Sequence, residues 1–213
     1  MSDLVFYTNP MSRGRIIRWM LEEVGQPYET VLVEWGKNDP AFLAVNPMGK
    51  VPAVKHGDAV VTECGAVCAY LADAFPEAGL APPPGSRERA PYYRWLFFAA
   101  GPIEQAVGVA AMGVQPSADQ EAMLGFGSMA RVLNAMEGYL KDREFVAGDR
   151  FSAADLYLAS HLAWGMQFGT LEKRPAFEAY AARHTARPAA LRAAEIDDGI
   201  IAAQQQKQPE PAE

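Results

Sequence analysis

Along the first third of the chain the apolar positions change period several times. Leu4-Val5-Phe6-Tyr7 is a run of strand formers closed by Thr8-Asn9-Pro10, and it predicts a short β-strand. From Ser12 to Val24 the apolar residues Ile16, Ile17, Met20, Leu21 and Val24 recur at helical spacing, so one helix face is apolar; Gly25 stops it. Thr30–Trp35 predicts a second strand, and Gly36–Asn46 an irregular stretch with a short helix around Phe42. Val51–Lys55 and Ala59–Thr62 flank Gly57-Asp58 and predict a hairpin. Cys64–Phe75 returns to helical spacing, with Val67, Tyr70, Leu71, Ala74 and Phe75 inward. The order is β-α-β-α-β-β-α, two parallel strands joined by a crossover helix and then an antiparallel pair.

After Phe75 the strand signal disappears. Pro76–Ala90 holds Pro82-Pro83-Pro84-Gly85, a composition that suits a linker. Helices follow at Pro91–Met112, bent at Gly101-Pro102, and at Ala118–Leu140, with Met123, Met129, Val132, Leu133, Met136 and Leu140 inward. Ser152-Ala153-Ala154-Asp155 has the form of a capping box, and Phe151 and Leu156 stand where a hydrophobic staple would close over it; that helix runs to about Trp164. Pro175–Arg183 and Ala189–Ala203 predict two more helices. The expected organisation is an α/β domain over 1–78, a linker over 79–90, an all-α domain over 91–203 and a disordered polar tail over 204–213.

Charge and composition then narrow the function. Of 213 residues half are hydrophobic and the formal net charge is −7, which argues against nucleic acid, since phosphate binding needs a basic surface. No apolar run approaches the roughly 18 residues of a membrane span. No basic leader precedes the first strand, so the expected location is the cytoplasm. The two cysteines do not make a disulfide scaffold, and there is no C-x-x-C. His56, His161 and His184 lack ligand spacing, so no metal site is expected.

The chemistry concentrates around Asn46-Pro47-Met48-Gly49-Lys50-Val51-Pro52 and the Glu63-Cys64 step. Proline removes a strand N–H. With Val51–Pro52 cis, the backbone of Val51 would be open to pair with an extended peptide as an added strand; otherwise the segment is an ordinary turn. Glu63 and Cys64 start a helix, where backbone N–H groups favour an anion. Glu63 would take an ammonium and Cys64 a carboxylate, while Lys37 and Lys50 are either solvated surface lysines or partners for a second carboxylate. Together these residues suit a small acidic peptide. Ser12, at the strand-to-helix junction, is either a helix N-cap or a hydrogen-bond donor to a thiolate, with Tyr7 the competing donor. Cys68 is expected to pack as a small apolar residue.

Tyr7-Thr8-Asn9-Pro10-Met11-Ser12, Asn46 to Pro52, Glu63-Cys64-x-Ala66-Val67-x-x-Tyr70-Leu71 and Phe151-Ser152-x-Ala154-Asp155 together resemble the cytosolic glutathione transferase family, in order and spacing, over nearly the whole chain. The resemblance implies a thioredoxin-like N-terminal domain followed by a helical bundle, a homodimer, and glutathione as co-substrate with no further cofactor. It implies conjugation to an apolar electrophile, as in detoxification, seated against aromatic residues such as Phe97, Phe98, Trp164 and Phe168. The Pro10-Met11-Ser12 placement is similar to the serine-type (phi and theta) members. It makes Ser12 the thiolate-stabilising residue, with Tyr7 the alternative. Val51, beside Pro52, would pair with the cysteinyl backbone, Glu63 and Cys64 would hold the γ-glutamyl end, and Lys37 and Lys50 would lie near the glycyl or central part. The family usually has serine where this chain has Cys64, and a thiol is the weaker donor. A non-catalytic glutathione-binding module is the alternative from another class; a glutathione-dependent isomerase or thiol reductase is a third.

Overall fold

The computed structural model describes residues 3–37 and 39–207. It divides into two compact units, one formed by Met1–Leu71 with Pro188–Glu213 and the other by Ala72–Arg187.

The first unit is the expected thioredoxin-like arrangement. Strands β1 (Leu4–Thr8), β2 (Tyr28–Leu32), β3 (Ala53–His56) and β4 (Ala59–Thr62) form one sheet in the order β2-β1-β3-β4. β1 and β2 are parallel, as their crossover helix α1 (Gly14–Val24) requires, and the other pairs are antiparallel. α2 (Pro40–Val45) and α3 (Cys64–Ala74) complete the first 74 residues. β1 alternates strictly: Phe6 is buried beneath α1, with the Arg18 guanidinium 5.0 Å over its ring, whereas Tyr7 packs on Phe42 of α2 at 5.7 Å. β2 spans Tyr28–Leu32 rather than Thr30–Trp35, because beyond Leu32 the backbone leaves the ladder after one bond from Val33 N–H to Thr8 O.

α1 buries the predicted residues Ile16, Ile17, Met20, Leu21 and Val24, and it also buries Arg18. The cause is α10 (Pro188–Lys207), which packs on α1 within this same unit. Arg18 Nε donates to Asp197 Oδ1 at 3.2 Å, and Nη1 donates to Tyr28 Oη and Thr30 Oγ1. Burial pushes the Asp197 carboxyl above its ordinary value, against the opposing pull of Arg18, and burial raises the Tyr28 phenol to about 12. The expected tail over 204–213 is corrected in part, since α10 continues through Gln204–Gln206 to Lys207; residues 208–213 lie outside the described residues. The helix persists because Ala202, Ala203 and the three glutamines are good helix formers with no proline or glycine among them.

The second unit is helical throughout its described elements: α4 (Arg89–Phe98), a π-turn over Ala99–Ile103, α5 (Glu104–Ala111), α6 (Ala118–Met123), α7 (Met129–Leu140), α8 (Ala153–Gln167) and α9 (Pro175–Thr185). Pro102 lacks the N–H that an α-helix needs, and the π-turn absorbs that loss where a bend is expected. The helix predicted over 118–140 is two helices. Gly127 takes a positive φ of 69° and Ser128 caps α7, accepting from Arg131 N–H. Residues 79–90, linker-like in composition, are held to this unit. Leu80 O accepts from Ala153 N–H at 2.8 Å, and Arg89 binds Pro82 O at 2.6 Å and both Asp73 carboxylate oxygens. Of the four aromatic residues named above, Phe97 and Phe168 are exposed and Phe98 and Trp164 are half-buried.

His184 carries a pH prediction. Its ring is buried against Phe145, Phe151 and Tyr180, with Nε2 3.0 Å from Glu144 O. Burial pushes its pKa from 6.5 down to about 4, helped by Arg183 and Arg187 and opposed by the Glu144 carbonyl. Between those two values the unfolded chain binds a proton that the folded chain refuses. Stability therefore falls as pH drops through that window, by about 2–3 kcal/mol from this group, and levels off below it. Urea unfolding of the wild type and His184→Gln across pH 4–7 should show the dependence flattened in the variant. Parallel profiles would contradict the assignment.

Candidate functional site

Three segments leave the same end of the sheet. Tyr7 of β1 stands opposite Ala53 of β3, and Ala53 stands opposite Thr62 of β4. The next residues outward are therefore Thr8, Pro52 and Glu63, so the loop after β1, the Val51–Pro52 step and the Glu63-Cys64 step emerge side by side. The Cys64 thiol closes the group, donating to Arg13 O at 3.8 Å. The starts of α1 and α3 thus converge, and both helix N-termini favour negative charge there.

The loop carrying Ser12 is built by Asn9. Its side-chain amide donates to Val33 O at 3.0 Å, and its side-chain oxygen accepts from Met11 N–H at 2.9 Å. Gly14 allows α1 to begin directly above the end of β1, because a Cβ there would fall 1.9 Å from Thr8 Oγ1. Ser12 is half-buried. Its oxygen accepts from Gly14 N–H at 2.9 Å, and its hydroxyl donates to Asn9 O at 2.6 Å. The helix starts two residues later than the serine, so Ser12 caps from outside and Arg13 occupies the cap position.

The Val51–Pro52 peptide bond is cis, and β3 begins only at Ala53, so Val51 lies outside the ladder. Asn46, buried, shapes the turn before it: its amide donates to Lys50 O at 2.7 Å and its side-chain oxygen accepts from Met48 N–H at 3.1 Å. Gly49 takes a φ of 63° in that turn, and Lys50 is exposed beside Val51.

Among the described residues, Glu63 is the one non-glycine residue with positive φ, 67°. This costs backbone energy, and such outliers gather where a side chain must be aimed. The Glu63 carbonyl opens α3 by accepting Val67 N–H, and its carboxylate is exposed. Cys64 is buried to 7% exposure, and fully buried Cys68 has its thiol pushed well up by burial, so it packs as an inert apolar residue.

The structure therefore gathers Ser12, Val51, Pro52, Glu63 and Cys64, with Lys50 at their margin. Lys37 is engaged elsewhere, its ammonium 2.5 Å from Glu34. Tyr7 is half-buried against α2. Asn9, Gly14 and Asn46 complete the frame. Asn9 and Asn46 each precede a proline, the local sign of the turns they build. Among the described residues no group of three or more His, Cys, Asp or Glu is placed to hold a metal, and no helix is long and apolar enough to cross a membrane.

Known proteins share this plan. Residues 6–79 match the glutathione S-transferase N-terminal domain and residues 94–188 the C-terminal domain. The chain is 31% identical to the disulfide-bond oxidoreductase YfcG of Escherichia coli K12, over 93% of this chain and 98% of that one. A crystal structure of a glutathione transferase from Methylococcus capsulatus superposes with a TM-score of 0.77 at 33% identity, over 92% and 98% of the two chains. A sphingomonad glutathione S-transferase complexed with glutathione superposes with a TM-score of 0.73 at 30% identity, over 91% and 98%. With both domain signatures in order and full-length relatives at this identity, the chain belongs to the glutathione S-transferase family.

Proposed function

We propose that this protein is a glutathione transferase of the serine type. It binds glutathione on its first unit, lowers the thiol pKa through Ser12 and delivers the thiolate to an apolar electrophile. The observation that carries this reading is the Ser12 hydroxyl, fixed where two helix N-termini meet. Gly14 N–H holds the oxygen in place and leaves the O–H as a rotor. Turning that O–H from the Asn9 carbonyl to a thiolate exchanges a neutral acceptor for a charged one, a bond roughly twice as strong. The stabilised thiolate is the better nucleophile, and holding it beside the electrophile supplies the rest of the rate.

The other residues take the peptide. Val51 pairs with the cysteinyl backbone beside Pro52, Glu63 receives the γ-glutamyl ammonium, and the Cys64 N–H and side chain receive its carboxylate. Lys50 faces the remaining carboxylate, and Lys37 joins it only by leaving Glu34. Tyr7, whose ring packs on Phe42, is the alternative donor to the sulfur. A cytoplasmic homodimer, detoxification as the role, and no cofactor beyond glutathione complete the reading. Organisation into a glutathione-binding domain over 1–78, a linker over 79–90 and a helical domain over 91–203 belongs to the same proposal, with α10, from Pro188, grouped with the first unit.

Glu63→Ala should weaken glutathione binding by about 1.5–3 kcal/mol, the worth of a hydrogen bond to a charged group. Calorimetry with reduced glutathione checks this, and unchanged affinity would remove Glu63 from the site. The relative named a disulfide-bond oxidoreductase favours one second reading, glutathione-dependent disulfide reduction. Both cysteines are buried, neither is adjacent to Ser12 in the sequence, and the nearby Cys64 thiol is turned to the Arg13 carbonyl, so glutathione itself would supply the thiol. Turnover of an aryl halide but not of a glutathione-reducible disulfide supports the first reading, and the reverse supports the second.

A further inference from the structure

We propose that Arg15, gripped by Asp198 of the C-terminal helix, is a positioning residue for the loop that presents Ser12. This rests on the reading of Ser12 as the thiolate donor. α1 is clamped along one face. Residues 15, 18 and 22 lie about one turn apart on it, and each meets a charge on α10: Arg15 with Asp198, Arg18 with Asp197, and Glu22 with Arg192. The Arg18–Asp197 pair is almost wholly buried, with side chains 2% and 1% exposed. It fixes the register of the two helices, and Asp198, the next residue, is thereby held over Arg15. Nη2 of Arg15 meets Asp198 at 2.5 Å, while Nη1 reaches back to the Pro10 carbonyl at 3.4 Å.

Pro10 lies inside the turn that sets the serine. The Asn9 carbonyl before it accepts the Ser12 hydroxyl, and the Asn9 side chain accepts Met11 N–H just after it. The turn is therefore tied at two sides, by Asn9 to Val33 and by Arg15 through Pro10. A planar guanidinium serves two acceptors in fixed relative directions. Asp198, by orienting one edge of Arg15, orients the other edge toward Pro10. The pair is partly exposed, so its direct contribution to stability is small. Its effect lies in the direction of the turn, and through it in the aim of the Ser12 hydroxyl.

The test is the pH profile of kcat for aryl-halide conjugation, with glutathione KM and the thermal unfolding midpoint measured beside it. Asp198→Asn and Arg15→Met should each raise the pH midpoint of kcat by about half a unit, roughly a threefold loss of thiol acidity. Glutathione KM and the unfolding midpoint should stay near those of the wild type. The exchange Arg15→Asp with Asp198→Arg restores the ion pair but leaves Pro10 without a donor, so the midpoint should stay raised. Recovery in the exchanged protein, or an unmoved midpoint in both single variants, overturns the proposal. In a Ser12→Ala background the effect of Arg15→Met should vanish, and its persistence also overturns the proposal. A midpoint moved by Ser12→Ala but not by Arg15→Met overturns the positioning role alone. A midpoint unmoved by Ser12→Ala overturns the serine reading itself.

Discussion

Ser12→Ala is expected to lower kcat for conjugation about tenfold to a hundredfold, with glutathione KM changed by no more than about threefold. The size follows from one hydrogen bond to a charged group, about 1.5–3 kcal/mol. The asymmetry follows from where the hydroxyl acts. It meets the sulfur, while binding is spread over the Val51 backbone, Glu63 and Cys64, none of which the substitution touches. Folding should lose about 1–3 kcal/mol, because the loss of Ser12 Oγ leaves the buried Gly14 N–H without that acceptor, while the Asn9 carbonyl keeps the Ser12 N–H. A drop in KM-controlled binding with kcat intact would place Ser12 among the binding groups instead. Steady-state kinetics at saturating electrophile separates the two outcomes.

Asp155→Ala should be the most destabilising single change in the second unit, at about 3–5 kcal/mol by chemical denaturation. Its carboxylate is fully buried and accepts four hydrogen bonds: Val146 N–H at 2.7 Å, Ser152 N–H at 2.8 Å, Ser152 O–H at 2.7 Å and Tyr180 O–H at 2.5 Å. Burial drives its pKa up and the four donors hold it back, so burial prevails in part. Truncation removes the shared acceptor and strands every donor in a dry site, each at about 1–3 kcal/mol before relaxation. Tyr180 ties α9 to the start of α8, so the helical unit loses a joint as well as a cap. Asp155→Asn keeps one acceptor and should cost less. A variant within about 1 kcal/mol of the wild type would show that the network contributes little.

Much of this was written in the sequence because local signals and tertiary structure agree. The period changes around Leu4, Ile16 and Val54 mark strand, helix and hairpin because each element buries one face. Ser152 and Asp155 announce a capping box because that bond pattern is local. The segments of the candidate site were legible in the same way, since Val51-Pro52 and Glu63-Cys64 are short and their residue types stand in the sequence. What stayed hidden depends on contacts far apart in sequence. Arg18 reads as a solvated charge until α10, some 180 residues later, covers it. Gly14 carries no sign in the sequence of its close approach to Thr8, which only the fold creates. The break near Gly127 was a local signal outweighed by the apolar spacing on either side. The strain at Glu63 has no signature in sequence, because a glutamate gives no sign of a left-handed backbone.

The acidity of the bound thiol is what Ser12 is proposed to set. Ultraviolet difference spectra of the protein saturated with glutathione report the thiolate directly, without an electrophile. Titrated with pH, the wild type and Tyr7→Phe should show the thiolate forming well below the free-thiol value of about 8.5, and Ser12→Ala should return it about one to two units toward that value. A thiolate that forms at the wild-type pH in Ser12→Ala, and is displaced upward in Tyr7→Phe, would contradict the account.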